Sequence, residues 1–212
     1  MTVTVSDILG EAVEQARPVI IPVALVYSLT VAIGTVADAE LAGADMSGLL
    51  SFLLSCALLV AQFGLTRAAL GAAGYDVGGG FWRFFFLSLI VSIATGLAFL
   101  LLVIPGIIVL VRLSAAVPAL FAEDLAIGEA MNASWERTRE IFWPLLLAFS
   151  IVWVPTVLTI AWAFLGSGDG MTNPVSAIIF NLCWNAVLVF GWFLSIAAYR
   201  ITTTNTVAEV FA

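Results

Sequence analysis

A stretch from Phe84 to Ala122 is almost unbroken in its apolar character, and its length limits what the chain can fold into. As one α-helix it would be roughly 58 Å long, whereas the hydrocarbon core of a bilayer is about 30 Å thick. The stretch must therefore fold back, and Pro105-Gly106 is the strong helix breaker near its middle. The sequence predicts helices at 81–104 and 107–122, a turn at Pro105-Gly106 and a second hinge at Pro118.

Four further apolar runs are long enough to cross a bilayer, at 18–37, 47–70, 141–165 and 174–199. With 63% hydrophobic and 10% charged residues, too little polar sequence remains to cover a soluble domain. The apolar runs are continuous rather than alternating, which argues against a β-barrel. The sequence predicts an all-α, polytopic membrane helix bundle: six transmembrane helices arranged as three hairpins, in one membrane domain over residues 1–212.

Two amphipathic segments, at about 6–17 and 124–140, are predicted to lie at the membrane interface. Trp135, Arg137, Arg139 and Trp143 fall at or just after the second segment, where interfacial residues are expected. Both polar faces are rich in acids, which argues against binding to anionic lipid by charge alone.

The placement of the arginines predicts the orientation of the chain. Six of the seven fall at helix ends or loops that the six-helix plan puts on one side: Arg17, Arg67, Arg83, Arg137, Arg139 and Arg200. The loops on the other side, 38–46 and 166–173, contain only acids: Asp38, Glu40, Asp45 and Asp169. By the positive-inside rule both termini are predicted to be cytoplasmic. Arg112 is the exception to this pattern.

Arg112 lies inside an apolar run, and no Asp or Glu falls within any predicted span. If Pro105-Gly106 turns at the outer surface, Arg112 is roughly 9 Å below that turn. Asn181 and Ser55 are predicted at similar depths on other helices, and Asn185 one turn deeper on the same side of its helix as Asn181. Three interpretations stay open: structural hydrogen bonding to these side chains and to nearby carbonyls freed by prolines, an anion or lipid site, or snorkelling of Arg112 to the headgroups.

The window 104–143 resembles the membrane domain found beside bacterial glycerophosphodiester phosphodiesterases, and related inner-membrane proteins that consist of this domain alone. The matching positions are Ile104-Pro105-Gly106, Arg112, Ser114, Pro118, Glu129-Ala130, Ser134-Trp135, Thr138-Arg139 and Phe142-Trp143. Members usually have basic residues before the Ser-Trp pair and after the Phe-Trp pair, where this chain has Met131-Asn132-Ala133 and Pro144. The resemblance implies a multi-pass protein of the bacterial inner membrane without catalytic activity of its own.

The chain has no histidine and no lysine, and we expect neither an enzyme nor a bound cofactor or metal. Cys56 and Cys183 fall inside apolar spans and are expected to be packing residues. The acidic pair Glu123-Asp124 is expected to cap the helix that follows it. We expect a scaffold that binds membrane lipids, partner membrane proteins or a second copy of the chain, and no nucleic acid. The alternative is a small-molecule or lipid transporter with an anion site around Arg112.

Overall fold

The computed structural model describes residues 3–39, 45–165 and 174–210, and within these ranges the chain is helical with short connections and no strand. The α-helices are α1 Val5–Ala16, α2 Ile20–Ala39, α3 Asp45–Ala72, α4 Phe81–Leu101, α5 Val103–Leu113, α6 Ala116–Ala122, α7 Ile127–Arg137, α8 Phe142–Leu165 and α9 Pro174–Val210. A short 3₁₀ segment, Arg17–Val19, joins α1 to α2.

Six stretches of the described chain are long and apolar enough to cross a membrane: Val5–Asp38, Gly48–Ala72, Phe81–Leu101, Val103–Ala122, Phe142–Ala163 and Val175–Thr204. The predicted fold class, an all-α polytopic bundle, is confirmed. The two predicted interfacial segments correspond to α1 and α7. Glu40 and Asp169, two acids of the predicted outer loops, lie outside the described residues.

Prolines mark where four of the helices begin. Pro22, Pro105, Pro118 and Pro144 are each the third residue of their helix, in α2, α5, α6 and α8 respectively. The first-turn N–H groups of a helix have no acceptor within it, so a proline there removes no hydrogen bond. A proline ring would clash with the carbonyl four residues earlier if the preceding helix continued. A new helix therefore begins two residues before each of these prolines.

This proline effect corrects the predicted turn at Pro105-Gly106. Helix α4 ends at Leu101, Leu102 alone is extended (φ −163°, ψ 147°), and α5 begins at Val103. Pro105 and Gly106 lie inside the first turn of α5 rather than in the connection. The chain reverses before the proline because Pro105 cannot donate to the carbonyl of Leu101.

The chain forms two compact units. One comprises Met1–Pro18, Thr66–Phe149 and Trp192–Ala212, and we call it the arginine-bearing unit because all seven arginines fall within it. The other, Val19–Leu65 and Ser150–Gly191, has no arginine and is called the arginine-free unit.

The arginine-bearing unit has a close-packed interior. Phe84 of α4 and Phe121 of α6 are fully buried and stack with ring centroids 5.8 Å apart. Towards the end of α4, the ring of Phe99 lies beside Gly106 of α5. A Cβ on Gly106 would overlap this ring. Further fully buried side chains come from the flanking helices: Ile8, Leu70, Leu120, Leu145, Leu194 and Tyr199.

The arginine-free unit presents large apolar side chains on its outside. Ile21 is 72% exposed, and Phe52 and Leu158 are each 64% exposed. Such surface is unfavourable in water but is the normal lipid-facing surface of a membrane helix. The exposed apolar surface therefore supports the membrane assignment independently of helix length.

We predict that Gly106→Ala lowers the melting temperature in detergent, because the added methyl group overlaps the Phe99 ring. Overpacking of this kind costs about 1–3 kcal/mol. Gly96→Ala is the matched control, since it lies in α4 of the same hairpin and a Cβ there meets nothing within 4 Å. Equal melting temperatures for the two variants would contradict the close contact between α4 and α5.

Candidate functional site around Arg112

The guanidinium of Arg112 lies against α7 and the start of α8. Its Nη1 donates to the backbone carbonyl of Trp135 at 2.9 Å. Its Cζ is 5.4 Å from the ring centroid of Trp135 and 5.6 Å from that of Phe142. Arg112 is thus placed by one carbonyl and two aromatic rings, all in the arginine-bearing unit.

The backbone of Arg112 explains why α7 docks at this point. Its carbonyl lies in the last turn of α5, where helical acceptors have no partner within the helix. Ser134 Oγ donates to this carbonyl at 2.7 Å and Thr138 Oγ1 at 3.1 Å, and both side chains are fully buried. Ser134 and Thr138 are one helical turn apart, so one face of α7 caps the end of α5.

The three polar residues predicted near the depth of Arg112 have hydrogen-bond partners within the arginine-free unit. Asn181 donates to Asp38 Oδ2 at 2.8 Å and to the carbonyl of Ala177 at 2.9 Å. Asn185 donates to the carbonyl of Asn181 at 2.9 Å. Ser55 donates to the carbonyl of Ser51 at 2.9 Å. All of these contacts are internal to the arginine-free unit, whereas Arg112 belongs to the arginine-bearing one.

The corrected turn also changes the predicted depth of Arg112. Arg112 is ten residues after Leu102, the extended residue between α4 and α5, and so about 15 Å along the helix from the chain reversal. The sequence estimate of roughly 9 Å counted from Pro105-Gly106. Arg112 was the one apparent exception among the arginines, yet it lies in the same unit as the other six.

The four predicted interfacial residues have different environments. Trp143 is 70% exposed and Trp135 is 41% exposed. Arg139 is exposed. Arg137 is instead half-buried in an ion pair.

Glu123 is the centre of that ion pair. Arg137 donates to both of its carboxylate oxygens, at 2.5 and 3.0 Å, and Tyr199 Oη donates at 2.8 Å. The hydrogen bond from Arg137 lowers the pKa of Glu123, the bond from Tyr199 lowers it further, and burial opposes both. The same pairing raises the pKa of Arg137. Glu123 thereby joins the end of α6 to α7 and α9.

The expected capping by Glu123-Asp124 is also corrected. Asp124 accepts from Arg83 Nη1 at 2.9 Å and has a left-handed backbone, with φ 47°. At the start of α7 it is Glu129 whose side chain caps, accepting from the backbone N–H of the N-cap residue Ala126 at 3.0 Å. The arginines compete successfully for the acidic pair because charged donors form stronger hydrogen bonds.

Arg67 fixes a glycine-rich connection that sequence reasoning did not identify as part of a site. Its guanidinium donates to the carbonyls of Val77, Gly78 and Gly79, at 3.0, 2.8 and 2.6 Å. Gly79 has φ +73°, a backbone conformation that favours glycine. The run of three glycines was the available signal, because glycine lets a backbone approach and bond a side chain closely.

Within the described ranges, four arginines pair with carboxylates. The pairs are Arg17–Glu14, Arg83–Asp124, Arg137–Glu123 and Arg200–Glu11. Arg112 and Arg139 form no such pair in the same ranges. These two guanidinium groups, with Trp135, Phe142 and Trp143, constitute the candidate site. Its chemistry is that of a cationic, aromatic-lined surface able to bind an anion.

Comparison of the chain with protein-family models, with curated proteins and with solved structures finds no match. Among the described residues, no three His, Cys, Asp or Glu side chains are grouped as a metal site would require.

The Glu123 ion pair predicts an acid-sensitive contribution to stability. The folded-state pKa of Glu123 lies below its ordinary value of 4.5, so its stabilisation is present above about that pH and is lost as the pH falls through the lower folded value. We predict that Glu123→Gln destabilises the protein near neutral pH and loses less further stability on acidification than the wild type does. Melting temperatures measured from about pH 7 to about pH 3.5 test this.

Asp76→Asn is the control for this titration, because Asp76 is an exposed acid of the same unit. Its pH profile should follow that of the wild type. A Glu123→Gln profile parallel to the wild type over the whole range would refute the assigned role of Glu123.

The Asn181–Asp38 pair yields a separate prediction. Asn181→Ala removes the amide that donates to Asp38 and should lower stability by about 1–3 kcal/mol, the usual cost of leaving a buried polar group unsatisfied. Ser55→Ala should have almost no effect, since this exposed hydroxyl bonds only within its own helix. Thermal unfolding of the two variants in one detergent gives the comparison, and similar losses would count against the Asn181–Asp38 contact.

Proposed function

We propose that this chain is a non-enzymatic integral membrane protein of the bacterial inner membrane that acts as a lipid-associated or partner-binding scaffold. The observation that carries the proposal is the position of Arg112, bound to α7 and flanked by Trp135 and Phe142. The resemblance of residues 104–143 to membrane domains that accompany, but do not perform, phosphodiester hydrolysis supports the same proposal.

The placement of the other polar groups favours a scaffold over a transporter. A transport site built on Arg112 and Asn181 would need both side chains to face one substrate. Asn181 instead donates to Asp38 Oδ2 and to the carbonyl of Ala177. An amide that the protein already satisfies adds little to a substrate pathway.

The distribution of charge supports an orientation with both termini on the cytoplasmic side. Six of the seven arginines lie at helix ends or in connections that the six-helix plan puts on one side, as the positive-inside rule requires, and Arg112 lies within the span Val103–Ala122. In this orientation, the exposed indoles of Trp135 and Trp143 would face the inner headgroup layer, where such rings are enriched.

The proposal is tested on the full chain purified in mild detergent. Native mass spectrometry counts the phospholipids that stay bound, and the same protein in proteoliposomes is assayed for solute-driven charge movement with a panel of carboxylates and phosphates. We expect retained phospholipid, no solute-driven charge movement, and the same number of retained lipids for Asn181→Ala. Saturable uptake that both Arg112→Ala and Asn181→Ala abolish would establish the transporter alternative instead.

A further inference from the structure

We propose that Arg112 and Arg139, flanked by Trp135 and Trp143, bind the phosphate of a phospholipid headgroup. This inference rests on the proposed lipid association of the chain and names the ligand that the site recognises.

The first argument is charge balance. Arg112 donates to the carbonyl of Trp135, and Arg139 follows Trp135 by about one helical turn, where its backbone N–H donates to the carbonyl of Glu136. Both positive charges therefore lie near the end of α7, and like charges at short range repel. In the described ranges neither arginine pairs with a carboxylate, although four other arginines do. A bound anion would relieve this repulsion, and a phosphate offers several oxygens to two guanidinium groups at once.

The second argument is unused donor capacity. A guanidinium has five N–H donors, and in the part of the chain that the structure describes Arg112 uses them for one hydrogen bond, to the carbonyl of Trp135. That bond and the two rings hold the Arg112 side chain in place before any ligand arrives. A site whose cation is already positioned loses less conformational entropy on binding.

The third argument favours a lipid over a small soluble phosphate. The ring of Trp135, which contacts Arg112, is exposed, and so is Trp143, whose ring packs against Phe142. Indole rings prefer the boundary between headgroups and hydrocarbon. One turn after Trp143, Leu147 is 53% exposed on α8 and continues the apolar surface. The phosphate would therefore contact the arginines while the acyl chains meet apolar side chains, a combination that free phosphate cannot satisfy.

The acids in and after α7 restrict phosphate binding to the position of Arg112 and Arg139. Glu129 and Glu136 are exposed on α7, and Glu140 is exposed in the turn that follows. They oppose the diffuse attraction to an anionic membrane that clusters of Lys and Arg produce. Any preference for a phosphate must then come from direct contacts with Arg112 and Arg139.

The test measures lipid affinity by native mass spectrometry on delipidated protein in mild detergent. The probes are dioctanoyl phosphatidylglycerol, dioctanoylglycerol, which lacks the phosphate, and inorganic phosphate. Arg139→Gln is the informative variant, because Arg139 is exposed and its replacement leaves the packing of α7 intact. We expect about a tenfold loss of affinity for phosphatidylglycerol, the usual effect of losing a charge-assisted hydrogen bond, and no change for dioctanoylglycerol.

Arg17→Gln is the matched control, because it removes the same charge from an exposed arginine that pairs only locally, with Glu14. Its affinity for phosphatidylglycerol should equal that of the wild type. Arg112→Lys keeps the charge but loses the planar fork, so it should also weaken phosphatidylglycerol binding. Melting temperatures of all variants show whether a loss of affinity reflects a loss of folding.

Equal phosphatidylglycerol affinities for Arg139→Gln and Arg17→Gln would overturn the site while leaving lipid association intact. Inorganic phosphate bound as tightly as phosphatidylglycerol would identify a small-anion site and also overturn the inference. Failure of the wild type to bind either lipid would instead remove the proposed lipid association itself.

Discussion

A guanidinium group near hydrocarbon is stable only where carbonyls, carboxylates or aromatic rings replace the water that it has lost. In this chain those partners come largely from the segments between helices. Arg67 binds the carbonyls of residues 77–79, Arg112 binds Trp135 of α7, and Arg137 binds Glu123 after α6. The arginines therefore do more than add positive charge. They fix the conformation of the connections in the arginine-bearing unit, and the positions of α6, α7 and the end of α9 follow from them.

Proline supplies the complementary constraint on the apolar part of the chain. An almost continuous apolar sequence offers few signals for where one helix stops and the next begins. Because a proline in the first turn removes no helical hydrogen bond, Pro22, Pro105, Pro118 and Pro144 each mark a helix start, whereas Pro155 lies inside α8. The connections before α5 and α6 thereby shrink to one or two residues, Leu102 in the first case and Ser114-Ala115 in the second. Such short connections leave few backbone groups without a partner in a setting where unsatisfied groups are costly.

The sequence is sufficient to predict the helices but not the contacts between them, and Arg112 shows why. Length and composition alone identify six apolar helices, since each has to cross a core of about 30 Å. Length and composition do not predict the partner of Arg112. The chain reverses at Leu102 rather than at Pro105-Gly106, and α7 packs against the end of α5 instead of lying apart at the surface. The docking of α7 depends on Ser134 and Thr138 meeting a carbonyl more than twenty residues away in sequence. Asn181 with Asp38, and Glu123 with Tyr199, are likewise long-range pairs that no local pattern reports.

The net charge of the arginine-bearing unit limits how that unit could bind an anionic headgroup. Fourteen acids and seven arginines give the chain a net charge of −7. The arginine-free unit contains four of the acids, Asp38, Glu40, Asp45 and Asp169, which leaves ten acids against seven arginines in the other unit. Even the arginine-bearing unit is therefore acidic in sum. Exposed charges are screened within about 8 Å at physiological salt, so an approaching headgroup senses the nearest side chains rather than this total. Four of the other arginines are neutralised by their own carboxylate partners. Arg112 and Arg139 have no such partner in the described ranges, and they can therefore act as a local positive site on an acidic protein.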